Sequence, residues 1–135
     1  MALHDGVRAL VDEPNFGHLA TLLPGGSPHS VPVWVGLEGD RLAFFTQPES
    51  RKARNLAEDD RVALSLVDVT NPYRSGWLRG HVTETLEGEQ ALEVIDRISH
   101  KYTGRPFPMR SGVVYVIEPA ASGYAELPFE HTPAH

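Results

Sequence analysis

The chain alternates between two kinds of hydrophobic pattern. In some stretches apolar residues recur every three or four positions, which is typical of amphipathic helices, and other stretches are short runs rich in β-branched and aromatic residues, which is typical of strands. The predicted helices cover residues 3–12, 48–60 and 88–102. The predicted strands cover residues 16–23, 29–37, 41–46, 61–69, 76–86 and 113–120.

Short connections between the strands indicate how they are arranged. The turns PGGS (24–27) and EGD (38–40) separate the first three predicted strands, so we expect these strands to form a meander. Six short strands with close connections predict a small β-barrel with flanking helices, an α+β fold that is mainly β. We expect one domain over residues 1–135, with a helix in residues 1–12 and a flexible tail from residue 126 onward.

The two longer predicted helices each have an apolar stripe. In the helix over residues 48–60 we expect the buried positions to be Ala53, Leu56 and Ala57. The helix over residues 88–102 places on one face Leu92, Ile95, Ile98 and Tyr102.

Composition excludes several classes of function. The chain has 12 basic and 18 acidic residues and a net charge of −6, which argues against a general nucleic-acid-binding protein. It has no cysteine, so disulfides, thiolate metal sites and cysteine nucleophiles are excluded. There is no signal-peptide pattern and no apolar run of about 20 residues, so a cytoplasmic protein without a membrane segment is expected. The scattered histidines and the absence of phosphate-loop and GxSxG motifs predict neither a metal site nor a hydrolase.

A basic cluster in the segment PESRKARNL (48–56) stands out in this acidic chain. Ser50 is a good N-cap residue, which would place Arg51 and Lys52 at the first two positions of a helix. Cations at that end oppose the helix dipole, whereas a bound anion would be held by free backbone N–H groups, the Ser50 hydroxyl and the cations. The cluster therefore predicts a phosphate site, although surface helices also carry such residues as an ordinary solvated face.

The order of motifs resembles a known superfamily. The segments FGHLATLLPGGSPHSVPVWV, SRKARNL, DDRVALSLVDVTNPYRSGWLRGHV and IDRISHKYTGRPFP, in that order, are similar to the split-β-barrel flavin and deazaflavin oxidoreductases of the pyridoxamine-5′-phosphate-oxidase-like superfamily. The resemblance covers roughly residues 7–120. The combination of PVWV, KARNL, NPYR and KYTGR is more similar to the branch that uses coenzyme F420, whereas the order Ser-Arg-Lys is nearer the FMN pattern.

The resemblance implies a six-stranded antiparallel split barrel that forms a homodimer, with each cofactor in a groove between the protomers. The cofactor phosphate would be held by Ser50, Arg51, Lys52 and Arg54. The cofactor ring would be lined by Val31, Pro32, Val33 and Trp34 and flanked by Thr46 and Gln47. The partner subunit would contribute its copies of Tyr73, Arg74, Trp77 and Arg79. Pro32 agrees with this arrangement, because a proline marks a strand edge or bulge where a ligand can approach the backbone.

The implied reaction is hydride transfer from reduced F420 to a small organic acceptor, with the chemistry carried by the cofactor. No residue is therefore assigned a catalytic role, and Tyr73 is a candidate proton donor. Two alternatives stay open. One is an FMN-dependent oxidase or reductase of the same fold, and the other is a non-catalytic module that binds flavin or deazaflavin.

Overall fold

The structure is a computed structural model, and it describes residues 3–132. It contains three helices, α1 (Asp5–Asp12), α2 (Arg51–Glu58) and α3 (Gly88–Thr103). Its strands are β1 (Gly17–Leu22), β2 (Pro28–Val33), β3 (Val35–Glu38), β4 (Arg41–Thr46), β5 (Arg61–Val67), β6 (Arg74–Leu86) and β7 (Val113–Glu126). The parts of the predicted N-terminal segment and tail at residues 1–2 and 133–135 lie outside the described residues.

The strands form one antiparallel sheet of seven strands in the order β2-β1-β5-β6-β7-β4-β3. The prediction of six strands was therefore wrong by one, because the run 29–37 is interrupted at Trp34. The predicted meander is correct in its pairings, since β1 pairs with β2 and β3 pairs with β4, but its middle strand is split, so the two pairs lie at opposite edges of the sheet. Because Trp34 alone separates β2 from β3, the sheet must curl until its edges meet there. This is the arrangement of a split barrel.

The core fills the inside of the curled sheet. Alternate residues of β5 and β6 point inward, including Leu64, Leu66 and Leu78, which are almost completely buried. Helix α1 adds Val7, Leu10 and Val11 to the same core. The burial of these side chains stabilises the fold by roughly 1.5–3 kcal/mol for each large apolar residue.

Helix α3 packs on the outer face of β4 and β7. The cluster between them contains Ala43, Ala91, Val94, Ile95, Ile98, Val114 and Val116. The predicted stripe of α3 is thus correct for Ile95 and Ile98, whereas Tyr102 and Leu92 are only half-buried at its border.

Helix α2 differs in one position from its predicted stripe. Ala53 and Leu56 are buried as expected, but Ala57 is exposed and Asn55 is buried. The amide of Asn55 is accommodated because it hydrogen bonds to neighbouring side chains, as described below.

The last strand is longer than the sequence predicts. β7 pairs with β6 from Val114 to Glu126, well beyond the predicted end at residue 120. Residues 127–132 have neither helix nor strand, and the flexibility of this tail stays a prediction. Among the described residues, no helix is long and apolar enough to cross a membrane.

Candidate functional site

A groove with a volume of about 360 Å³ lies where the chain crosses from β2 to β3. Its lining consists of Phe16, Pro32, Val33, Trp34, Phe45, Lys52 and Phe107. The structure thus brings together four residues of the predicted site: three from the ring-lining strand and one from the basic cluster. Pro32 lies on an edge strand, as predicted, where its missing N–H leaves no gap in the sheet.

Aromatic rings form the walls of this groove. The indole of Trp34 stacks on the ring of Tyr102, with centroids 5.0 Å apart and planes 6° apart. Phe107 packs edge-on against Trp34 at 6.1 Å and against Phe45 at 5.0 Å. Flat apolar walls of this kind suit a planar ring system.

Hydrogen bonds hold the Trp34 wall in place. The hydroxyl of Tyr102 donates to the backbone carbonyl of Asn15 and accepts from the backbone N–H of Val35 at 3.1 Å. Burial raises the pKa of Tyr102, so the phenol stays neutral at ordinary pH and can make both bonds. The segment that crosses between the sheet edges is therefore fixed by α3.

Ser50 caps helix α2, as predicted. Its hydroxyl accepts from the backbone N–H of Ala53 at 3.2 Å and from the hydroxyl of Thr46 at 3.0 Å. Arg51 and Lys52 are therefore the first two residues of the helix. The first turn contains no acidic residue, so no carboxylate in that turn offsets these cations.

The three cations of α2 have different surroundings. The Nε of Arg51 donates to the Oδ1 of Asn55 at 3.0 Å, and Arg54 is exposed. Lys52 reaches the apolar groove, and burial there lowers its pKa. Among residues 3–132, no carboxylate lies within 4 Å of the charged nitrogens of any of the three. An anionic ligand would supply the missing negative charge.

Arg74 lies in an ion-pair network of its own chain. Its guanidinium donates to Glu13 at 2.7 Å, to Asp68 at 3.0 Å and to the hydroxyl of Tyr124 at 2.8 Å. The hydrogen bond to Glu13 raises the pKa of Arg74, a guanidinium that is charged at ordinary pH in any environment. Burial of Asp68 opposes its ionisation, but hydrogen bonds from Thr70 and Arg74 outweigh this and lower its pKa.

The other residues expected from the partner also lie away from the groove within one chain. Tyr73 packs edge-on against Phe129, with centroids 5.4 Å apart. Trp77 is exposed on the outer face of β6, and the guanidinium of Arg79 lies over its ring at 5.1 Å. Their contact with a cofactor depends on a second subunit and stays a prediction.

Two predicted residues have other surroundings. Val31 points toward the main core, and the amide of Gln47 donates to the backbone carbonyl of Ser111 at 3.0 Å. The sequence reasoning missed Phe16, Phe45 and Phe107. Their only sequence signal is that each is an aromatic residue in or beside a recognised motif, in FGHLATLL, RLAFFT and GRPFP respectively.

The groove can bind and shield a ligand but offers little acid–base chemistry. Of its lining residues only Lys52 is titratable. Among the described residues, no group of three His, Asp or Glu side chains could hold a metal ion.

Comparison with known proteins identifies the family. The family model for pyridoxamine 5′-phosphate oxidase matches residues 3–123, most of the chain. The chain belongs to the pyridoxamine 5′-phosphate oxidase family. The recognition made from the motif order is thereby confirmed at the level of the superfamily.

Two curated members of the family match parts of the chain. The pyridoxine/pyridoxamine 5′-phosphate oxidase of Bacteroides thetaiotaomicron is 29% identical over 111 residues, which is 82% of this chain and 48% of that protein. A 5a,11a-dehydrotetracycline/5a,11a-dehydrooxytetracycline reductase of Streptomyces rimosus is 40% identical over 58 residues, 40% of this chain and 41% of the relative. The chain spans about half the length, or less, of these relatives.

Solved structures of similar fold cover more of the chain. An F420 reductase has a TM-score of 0.78 and 29% identity, over 90% of this chain and 98% of that one. A conserved hypothetical protein from Mycobacterium tuberculosis has a TM-score of 0.79 and 23% identity, over 99% and 94% of the two chains. The second likeness supports the split-barrel fold alone.

Proposed function

We propose that this protein is an F420-dependent reductase that acts on a small organic acceptor. The observation that carries the proposal is the aromatic groove at the first turn of α2, where Arg51, Lys52 and Arg54 have no carboxylate partner among the described residues. A planar ring with an anionic phosphate chain fits both halves of this site, the flat walls and the uncompensated cations. The likeness to an F420 reductase over nearly its whole length favours F420 as that molecule.

Each part of the site has a task in this proposal. The Ser50 hydroxyl, the backbone N–H groups of the first turn and the neighbouring cations would hold the phosphate. Pro32, Val33 and Trp34 would pack against the ring, and Phe45 and Phe107 would keep water from it. When bound and reduced, F420 would supply a hydride to an activated alkene, an imine or a quinone-like carbon. The proton would come from solvent or from the partner's Tyr73.

The proposal includes a homodimer, and the bare outer face of the sheet supports it. Helix α3 covers the outer face of β4 and β7, but the outer face of β1, β5 and β6 carries a groove of about 480 Å³ beside Trp77. Trp77 and Val67 lie on this outer face and are 42% and 40% exposed, and apolar side chains exposed next to one another mark a candidate interaction surface. A second copy on this face, over residues 61–69 and 76–84, would bury them. It would also bring Tyr73, Trp77 and Arg79 near the partner's groove, while Arg74 would act through its own chain.

Titration with F420 and with FMN tests the choice of cofactor. We expect tight binding of F420 and weaker binding of FMN, read from the absorbance and fluorescence of each cofactor. The mass and the ultraviolet–visible spectrum of any cofactor released from the purified protein provide an independent measurement. Preference for FMN would favour the FMN-dependent alternative, and binding of neither would overturn the proposal.

Turnover and assembly need separate measurements. Reduced F420 should be oxidised in the presence of at least one activated alkene, imine or quinone in a substrate panel. Binding without any turnover would favour the non-catalytic module, which is the second alternative. Light scattering should give twice the mass of one chain at micromolar concentration, and a monomer that still binds cofactor tightly would contradict the shared groove.

A further inference from the structure

Helix α2 contains a buried amide that the groove itself does not use. The side chain of Asn55 is almost completely buried, with 1% of the residue exposed, and Thr21 of β1 is equally buried. The Nδ2 of Asn55 donates to the Oγ1 of Thr21 at 3.0 Å, and its Oδ1 accepts from the Nε of Arg51 at 3.0 Å. One continuous chain of hydrogen bonds thus runs from the sheet to a cation of the first turn.

The chemistry of the three groups fixes the direction of this chain. A guanidinium can only donate, so the oxygen of the amide must face Arg51. The nitrogen of the amide must then face Thr21, whose hydroxyl oxygen accepts. The orientation of Asn55 is therefore determined by its partners, and a side chain without both a donor and an acceptor could not take its place.

This chain of hydrogen bonds leaves the terminal nitrogens of Arg51 available. Only Nε is used by Asn55, and no carboxylate among residues 3–132 pairs with the Nη groups of Arg51. Arg54 differs, because it is exposed and its side chain has no hydrogen bond within the described part of the chain. Arg51 is thus a cation held in one orientation, whereas Arg54 is free to sample many.

We propose that Asn55 is a positioning residue: anchored to Thr21, it holds the Arg51 guanidinium in the orientation that binds the phosphate of the cofactor. The inference rests on the proposed function, because it names the anion that Arg51 meets. A long side chain that is ordered before binding loses less conformational entropy on association. Loss of this preorganisation should weaken binding by about 2- to 12-fold.

The first experiment compares cofactors with and without phosphate. In Asn55→Leu the affinity for FMN and F420 should fall by about 2- to 12-fold, while the affinity for riboflavin and for the phosphate-free deazaflavin nucleoside should stay unchanged. If Asn55 had only a structural role, its replacement would disturb the groove and weaken the binding of all four ligands alike. Equal losses for the phosphate-bearing and phosphate-free ligands would therefore overturn the proposal.

Thr21 offers a second pair of variants if Asn55→Leu folds poorly. Thr21→Val keeps the shape of the side chain but removes the hydroxyl. It should therefore also weaken binding of FMN and F420 selectively, but by a smaller factor than Asn55→Leu. Thr21→Ser keeps the hydroxyl and should bind like the wild type. Wild-type affinity for FMN and F420 in Thr21→Val would show that the anchor is not needed, which overturns the proposal.

A double-mutant cycle with Arg51→Met separates this inference from the proposed function. If Asn55 acts through Arg51, Asn55→Leu should cause no further loss of phosphate-dependent affinity in the Arg51→Met background. A full additional loss there would overturn the positioning role while leaving the cofactor site intact. Failure of the wild type to bind any of the four ligands would instead contradict the proposed function itself.

Discussion

Two groups of basic side chains in this protein have opposite electrostatic surroundings. Arg74 is enclosed by Glu13 and Asp68 of its own chain, with the hydroxyl of Tyr124 as a third partner. At the start of α2, Arg51 and Lys52 meet only neutral groups, and the helix dipole opposes their charge. The charge of Arg74 is thus compensated within the folded chain, whereas the charges of Arg51 and Lys52 would be compensated only by a bound anion. The comparison teaches that a cation's partners, rather than its presence in a motif, separate a structural role from a binding role.

The largest effect on stability should follow from removing Arg74, the cation that is paired with carboxylates of its own chain. Arg74→Met leaves Asp68, whose side chain is 13% exposed, without its counter-charge, and loss of one partner of a buried ion pair costs about 3 kcal/mol or more. The free energy of unfolding of the cofactor-free protein, measured in urea, should fall by about that amount. Arg97→Met provides the control, because the side chain of Arg97, which pairs with Glu38, is 53% exposed against 15% for Arg74, and loss of this pair should cost about 1 kcal/mol or less.

The opposite result for Arg74 would also be informative. If Arg74→Met were as stable as the wild type but bound cofactor poorly, Arg74 would be a binding residue and the comparison would fail. The expected role of the partner's Arg74 at the cofactor would then be supported.

The next largest effect should follow from removing Arg51, a cation without a carboxylate partner among the described residues, and it should appear in the affinity for the cofactor. Loss of one charge-assisted hydrogen bond costs about 1.5–3 kcal/mol, so Arg51→Ala should weaken binding of F420 roughly 10- to 150-fold. Added salt should weaken binding to the wild type, and Arg51→Ala/Lys52→Ala should lose much of that dependence. Affinity is measured by titration at two salt concentrations, with Arg97→Ala as the control for net charge. Wild-type affinity in Arg51→Ala would mean that the phosphate lies elsewhere.

How much of this contrast the sequence could predict depends on the range of the interactions. The cap at Ser50 and the start of α2 were predictable because capping acts within three residues. The pairing of Arg74 with Glu13 joins residues 61 positions apart, and no local pattern indicates it. Alternation likewise shows which residues of a strand face the core but not which strand is its neighbour, so the crossing at Trp34 and the order of the sheet were missed. Four of the seven residues that line the groove were predicted from motifs, whereas Phe16, Phe45 and Phe107 are brought to it only by the fold.

Lys101 is intermediate between Arg74 and the cations of α2, because its ammonium has hydrogen-bond partners within the chain but these partners carry no charge. Its ammonium donates to the backbone carbonyls of Val11 and Val35 and lies over the ring of Tyr102 at 4.7 Å. Burial lowers the pKa of Lys101 from its ordinary value of 10.5 to about 8, against a smaller opposing effect of Asp12. The unfolded chain therefore binds more protons than the folded one between about pH 8 and 10.5, and stability should rise with pH in that window.

The variant Lys101→Met isolates this contribution. The difference in the free energy of unfolding, wild type minus variant, should increase from pH 8 to pH 10, with a slope below about 1.4 kcal/mol per pH unit because the ammonium stays in part exposed to solvent. Urea unfolding at pH 7, 8.5 and 10 measures it, and other titrating groups cancel in the difference. A difference that does not change with pH would show that the two carbonyls keep Lys101 charged throughout this range.

The smallest effect concerns Lys52 in the absence of any ligand. Its charge opposes the dipole of α2 and is partly removed from water by the apolar groove, so the cofactor-free protein should gain about 0.3–1 kcal/mol of stability in Lys52→Gln. Arg54→Gln removes the same charge from an exposed position further along the helix and should gain less. Thermal melts and urea unfolding of the cofactor-free forms at low and high salt measure both variants, and salt should reduce the gain. A stability loss in Lys52→Gln would show that the folded chain already satisfies this cation, which would place the cluster in the same class as Arg74 and remove the reason to expect an anion there.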